Sequence, residues 1–138
     1  MKAIVYDSPR NFSYRDAADP KVNADEVLIR VHACGLCGTD LHVHVGEFSP
    51  RFPLIPGHEF TGEIVEFGAE VSGFKTGQRV VANSNTACGN CFYCRRGDRL
   101  FCENLESYGV TLNGGFAEYL KIRLIVSSGF KTLARAKQ

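Results

Sequence analysis

Residues 88–102 read Cys88-Gly-Asn-Cys91-Phe-Tyr-Cys94-Arg-Arg-Gly-Asp-Arg-Leu-Phe-Cys102, four cysteines at the spacing C-x2-C-x2-C-x7-C. Four thiolates on one short loop are the donor set of a closed tetrahedral zinc centre, and such a loop must wind around one point about 2.3 Å from every sulfur. Gly89 and Gly97 give the backbone its turns between ligands. A centre of four thiolates and one zinc carries a formal charge of about −2. Arg95, Arg96 and Arg99 lie within the loop and can offset it. The competing reading is a pair of disulfides or four unrelated buried thiols, but nothing marks the chain as secreted.

A second cluster lies upstream, in Cys34-Gly-Leu-Cys37-Gly-Thr39-Asp40-Leu-His42 and in Pro56-Gly57-His58-Glu59. Its ligands are fewer, spread over two segments and flanked by polar groups, as in an open metal site that keeps a position for a reactant. Cys34 and Cys37 also form a C-x-x-C pair, for which a thioredoxin-like redox motif is the competing reading. No βαβ pattern surrounds it, and Cys34 is read as a small buried residue at a strand end. His32 and His44 are read as structural or exposed.

The chain has 138 residues, enough for one domain with its own core. Its net charge of +1 hides an asymmetry. Residues 1–120 hold 11 Lys/Arg against 15 Asp/Glu, a net of −4, whereas 121–138 hold five cations (Lys121, Arg123, Lys131, Arg135, Lys137) and no acid. The balance of the main body argues against a nucleic-acid binder. Neither a signal peptide nor a run of about 18 apolar residues is present, so the expected location is the cytoplasm and no membrane contact is expected. Six cysteines in such a chain point to metal or redox chemistry.

Short strands are expected at Lys2–Tyr6, Phe12–Arg15, Glu26–Ala33, Phe60–Phe67, Arg79–Ala82 and Phe116–Ile122, separated by Gly- and Pro-rich turns. Val27, Ile29 and Val31 alternate onto one face of the third. Gly62 interrupts the fourth, at a bulge or a tight barrel bend. A short helix is expected from Thr39 to Val45, and an irregular loop over 46–57. The pattern is that of a mainly β protein, an all-β barrel with short helices and a cysteine loop. No Gly-x-Gly-x-x-Gly follows a strand, so no dinucleotide fingerprint lies within these residues.

Cys37-Gly-Thr39-Asp40-Leu-His42, Gly57-His58-Glu59-Phe-x-Gly62, the four-cysteine loop and Gly114-Gly115-Phe-Ala-Glu118-Tyr119 occur in one order. Together they resemble the N-terminal catalytic domain of zinc-dependent medium-chain alcohol and polyol dehydrogenases, over residues 1–122. The resemblance implies a GroES-like β-barrel, a structural zinc on Cys88, Cys91, Cys94 and Cys102, and a catalytic zinc on Cys37 and His58, with Glu59 beside it. A third ligand, in the family, comes from beyond residue 138, so the site is one ligand short unless Glu59 fills it. The resemblance also implies that Thr39 takes the alcohol proton, that His42 forms the outer end of the relay, and that Asp40 orients a ligand from behind. A thiolate with an imidazole suits zinc, and a hydroxyl and an imidazole suit proton transfer.

In the family, zinc acts as a Lewis acid on a small alcohol or polyol, and hydride passes to NAD or NADP held by a second domain. Members are homo-oligomers. Residues 123–138 do not resemble the family's continuation, and with the charge jump they suggest a truncated or frame-shifted product. The expectation is a zinc-binding catalytic domain inactive by itself. The rival is a non-catalytic zinc-binding module serving a protein partner.

Overall fold

The computed structural model describes residues 1–124, 126–127, 130–131 and 133–135. Strand β1 (Lys2–Ser8) folds back on β2 (Asn11–Asp16) as an antiparallel hairpin. The reversal passes through Arg10, which takes a left-handed φ of 62°.

The central strand is β3 (Glu26–Gly35). It pairs antiparallel on one side with β4 (Glu59–Phe67) and on the other with β8 (Tyr119–Arg123). Its register sets Ile29 opposite both Ile64 and Leu120, and Val27 opposite Ile122. All five are essentially sealed from solvent, and Phe60, Val80 and Tyr108 complete the cluster. Fully burying each such aliphatic side chain stabilises the fold by about 1.5–3 kcal/mol. The period-2 pattern of β3 therefore has its physical outlet: one face makes the core and the other carries Arg30.

Strand β5 (Arg79–Ala82) extends the sheet beyond β4. The two-residue strands β6 (Asn85–Thr86) and β7 (Glu106–Ser107) pair at the base of the cysteine loop. Strands β9 (Val126–Ser127) and β10 (Phe130–Lys131) pair with each other. Strand β11 (Leu133–Arg135) adds to the free side of β5, giving the order β11-β5-β4-β3-β8. Leu133 packs into the main core at 1% exposure. The basic tail expected over 123–138 is thus described in part, and its other positions lie outside the described residues.

Helix α1 (Gly38–Val45) follows β3 directly and ends at Gly46, whose φ is 90°. The expected loop over 46–57 is irregular. Gly62 faces Val31 across the ladder, with register shifts in β3 at Leu28/Ile29 and at Val31/Ala33. A Cβ at Gly62 would sit 2.1 Å from the Arg30 carbonyl oxygen, so the close approach of two backbones explains the glycine.

Several details differ from the sequence reading, beginning with the short strands β6, β7, β9, β10 and β11, which it did not expect. The last long strand begins at Tyr119, not Phe116. Residues 116–118 are instead held between β1 and the 54–57 loop, through a single bridge Ala3–Ala117 and the bonds Ile4 N–H to Phe116 O (2.9 Å) and Phe116 N–H to Pro56 O (3.0 Å). The cysteine loop also contains a short helix, α2 (Phe92–Arg96), and a 3-10 turn at Arg99–Phe101.

Candidate metal centres

Cys37 occupies the N-cap of α1. Its Sγ accepts a hydrogen bond from the Thr39 N–H at 3.3 Å, and its own N–H donates to Asp40 Oδ2 at 2.9 Å. This is a capping box in which a thiol stands where serine is usual.

His58 comes to the same place from the other side. It follows Gly57, whose φ of 92° turns the chain sharply before β4. An added Cβ at Gly57 would lie 2.7 Å from Phe116 Cδ1 and 2.8 Å from Cys34 Sγ. The Gly57 carbonyl accepts from Gly115 N–H at 2.8 Å. A Cβ on Gly114 would meet that carbonyl oxygen at 2.1 Å, and one on Gly109 would meet Gly57 backbone at 2.5 Å. Three backbone segments therefore touch where only glycines fit, which explains the Gly114-Gly115 pair. Gly109, with φ 82°, belongs to the same contact. The sequence reading passed over it, although a lone glycine between Tyr108 and Val110 was a legible turn signal.

At this junction His58 Nε2 lies 2.9 Å from Cys37 Sγ. Cys37, His58 and Glu59 each bring one donor atom within 4.8 Å of the others. On the far side of the ring His58 Nδ1 faces Asp40 Oδ1 at 3.4 Å. Both atoms are buried, and neither makes a well-formed hydrogen bond among the described residues. Asp40 is only 7% exposed; its Oδ2 has the Cys37 N–H, its Oδ1 still wants a donor, and the imidazole is the group placed to supply one. The donors of a thiolate, an imidazole and a carboxylate, with a second carboxylate behind the histidine, match what zinc takes.

Thr39 and His42 lie three residues apart on α1, hence on one face of the helix. No hydrogen bond joins them among the described residues. His42 is half-exposed, with Nδ1 on Glu47 and its ring edge-on to Phe48. His44 serves the fold instead: its Nδ1 shares a hydrogen bond with Tyr6 Oη at 3.0 Å and so ties α1 to the first hairpin. That tether is another feature the sequence reading did not find, because its partners are 38 residues apart. Cys34 sits under Gly57, and burial pushes its thiol up to about 11. Such a thiol stays neutral near pH 7 and lacks the nucleophilicity of a redox-active C-x-x-C.

In the second centre, Cys88, Cys91, Cys94 and Cys102 bring their four sulfurs within 4.8 Å of one another, and all are free thiols. Cys88 and Cys94 are 3.9 Å apart, as are Cys91 and Cys102. A tetrahedron with arms of about 2.3 Å has edges of about 3.8 Å, whereas a disulfide would need about 2.05 Å. Backbone N–H groups already point at the sulfurs: Cys88 and Asn104 donate to Cys102 Sγ at 3.3 and 3.4 Å. N–H groups of Asn90 and Cys91 bring the Cys88 thiol down to about 6. Burial pushes Cys94 up to about 12, so that thiol ionises near neutral pH only beside a cation. Arg96, expected to offset the sulfur charge, lies over the Phe92 ring and beside Asp98.

A family model described as the alcohol dehydrogenase GroES-like domain matches residues 23–125. D-arabinitol dehydrogenase 1 of Uromyces fabae is 54% identical over 123 residues, which is 89% of this chain and 35% of that protein. A zinc-binding dehydrogenase of Sinorhizobium meliloti 1021, solved bound to NADP, superposes with a TM-score of 0.86 at 40% identity, covering 88% of this chain and 36% of that one. A cobalt- and zinc-bound thermostable alcohol dehydrogenase of Pyrobaculum aerophilum gives 0.85 at 32% identity, covering 99% and 42%. The chain thus spans little more than a third of the length of the curated relatives it matches.

Proposed function

This chain belongs to the alcohol dehydrogenase GroES-like domain family, and on that basis we propose that it is the zinc-binding, alcohol-handling part of an NAD(P)-dependent alcohol or polyol dehydrogenase. The observation that carries the reading is the convergence of Cys37 Sγ and His58 Nε2 at 2.9 Å, with Glu59 within reach and Asp40 behind the imidazole. Cys37, His58 and Glu59 would hold the catalytic zinc; Cys88, Cys91, Cys94 and Cys102 would hold the structural one. The catalytic zinc supplies Lewis acidity, which lets an alcohol hydroxyl lose its proton near neutral pH.

The remaining work falls to side chains of the chain itself. The Thr39 N–H fixes the Cys37 Sγ at the helix N-terminus, aimed at His58. Asp40 Oδ1, facing His58 Nδ1 at 3.4 Å, would favour the tautomer with hydrogen on Nδ1 and leave the Nε2 lone pair for a metal. The Thr39 hydroxyl accepts the alcohol proton and passes it on, since a hydroxyl both accepts and donates. His42, half in solvent, exchanges that proton with water, and Glu47 steadies the imidazolium that forms. A nicotinamide would supply the hydride acceptor, and no residue of this chain is proposed to bind it. The 54% identity to D-arabinitol dehydrogenase 1 favours a polyol with a secondary hydroxyl.

The test is the zinc content of the purified chain with stepwise chelation. One zinc held tightly and lost in Cys91→Ser, with a second held more weakly and lost in His58→Ala, is the expected result. Binding indifferent to both substitutions would overturn the assignment of the two centres. Supplied with NAD or NADP and D-arabinitol, the 138-residue chain is expected to yield no reduced nicotinamide.

A further inference from the structure

On the sheet edge away from both cysteine clusters, a cavity of about 590 Å³ is lined by Gly73, Phe74, Lys75, Gly77, Gln78, Arg79 and Arg135. Its charged side chains are all cations. None of the three makes an ion pair with a carboxylate among the described residues; Arg135 only reaches the Gly73 carbonyl, at 3.4 Å. The cross-strand neighbour of Arg79 is Glu63, whose carboxylate is already taken by Arg30 and faces His32. Gln78 sits in the same wall. Its Oε1 accepts from the Lys75 N–H at 3.3 Å, which orients the amide, and its buried Nε2 has no partner.

Lys75, Arg79 and Arg135 are all exposed and line one concavity without a carboxylate partner among the described residues, so their charges are available to an anion, on a body whose first 120 residues carry a net charge of −4. Two are guanidiniums, whose planar fork matches a tetrahedral oxyanion in bidentate fashion. The Gln78 amide adds a donor that an anion oxygen takes up once that flexible side chain turns outward.

We propose that this cavity is a binding site for a phosphate group, free or carried by a small phosphorylated molecule, with Lys75, Arg79 and Arg135 as its charged donors. Chain order alone hides the site. Lys75 and Arg79 belong to the turn entering β5 and the start of that strand, while Arg135 arrives on β11.

The test is titration of the intact, isotopically labelled chain, followed by amide NMR, at constant ionic strength. Inorganic phosphate, ribose 5-phosphate and chloride are the three arms. Saturable shifts confined to residues 73–79 and 133–135, produced by phosphate and absent with chloride, are expected. Each of Arg79→Gln and Lys75→Gln is expected to weaken binding about tenfold, the loss of one charge-assisted contact, while leaving the remaining spectrum in place. Tighter binding of ribose 5-phosphate identifies a phosphorylated small molecule as the source; equal binding identifies free phosphate. Shifts that are linear, dispersed over the surface or matched by chloride would overturn the proposal, as would variants with normal spectra and unchanged affinity. A short single-stranded oligonucleotide is the fourth arm, and its binding far more tightly than either phosphate would replace a small-anion pocket with a nucleic-acid contact.

Discussion

Cys34 and Cys88 differ in chemistry far more than their sequence contexts suggest. Cys88 is exposed and held at about 6 by backbone N–H groups, so above that pH it is a thiolate; Cys34 is raised to about 11 by burial, so below that pH it is a thiol. At pH 7.5 a chelated sample is therefore expected to alkylate first at Cys88 and last at Cys34 and Cys94, read out by mass spectrometry of tryptic peptides. Asp40→Ala strips the acceptor from the Cys37 N–H and the counterpart from His58. It should cost about 1–3 kcal/mol in urea denaturation and loosen metal at the Cys37–His58 centre while sparing the four-cysteine loop. Gly57→Ala forces a side chain into a left-handed φ against Phe116 and Cys34. A loss of about 1–3 kcal/mol is expected, again with metal at the Cys37–His58 centre released first.

The elements divide their labour. Strand β3 contributes buried residues to the core and delivers Cys37 just beyond its end, so the same strand that stabilises the sheet aims a ligand. Ile64→Ala in β4 should cost about 2–5 kcal/mol by opening a cavity, whereas Val81→Ala in β5, at 43% exposure, should stay within about 0.5 kcal/mol of the parent. Helix α1 is only eight residues long and owes its place to its caps and to the Tyr6–His44 tether. The six longer strands and this helix were legible in the sequence because alternation and capping are local signals; the short strands β6, β7, β9, β10 and β11 carry too few residues to show a period. The tether and the three-glycine contact were not, because each depends on atoms brought together from distant segments.

At the scale of the molecule, Ala87, Cys94, Cys102, Cys91 and Leu105 form a small cluster separate from the sheet core. Removing metal should therefore release hydrogen-exchange protection over 87–105 while β3, β4 and β8 keep theirs. Retained protection in the loop after complete chelation would show that the loop folds without the ion. No described helix is long and apolar enough to cross a membrane.

Metal-ligand spacing and hydrophobic period are written along the chain, so the mainly β class, the family resemblance and the two sets of candidate ligands could be read from residue order. Only the tertiary structure decided how close Cys37 comes to His58, which face of that histidine Asp40 occupies, and that Arg135 joins Lys75 and Arg79 at one cavity. Those facts rest on contacts between residues 18 to 62 positions apart, and linear order carries no distance across such separations.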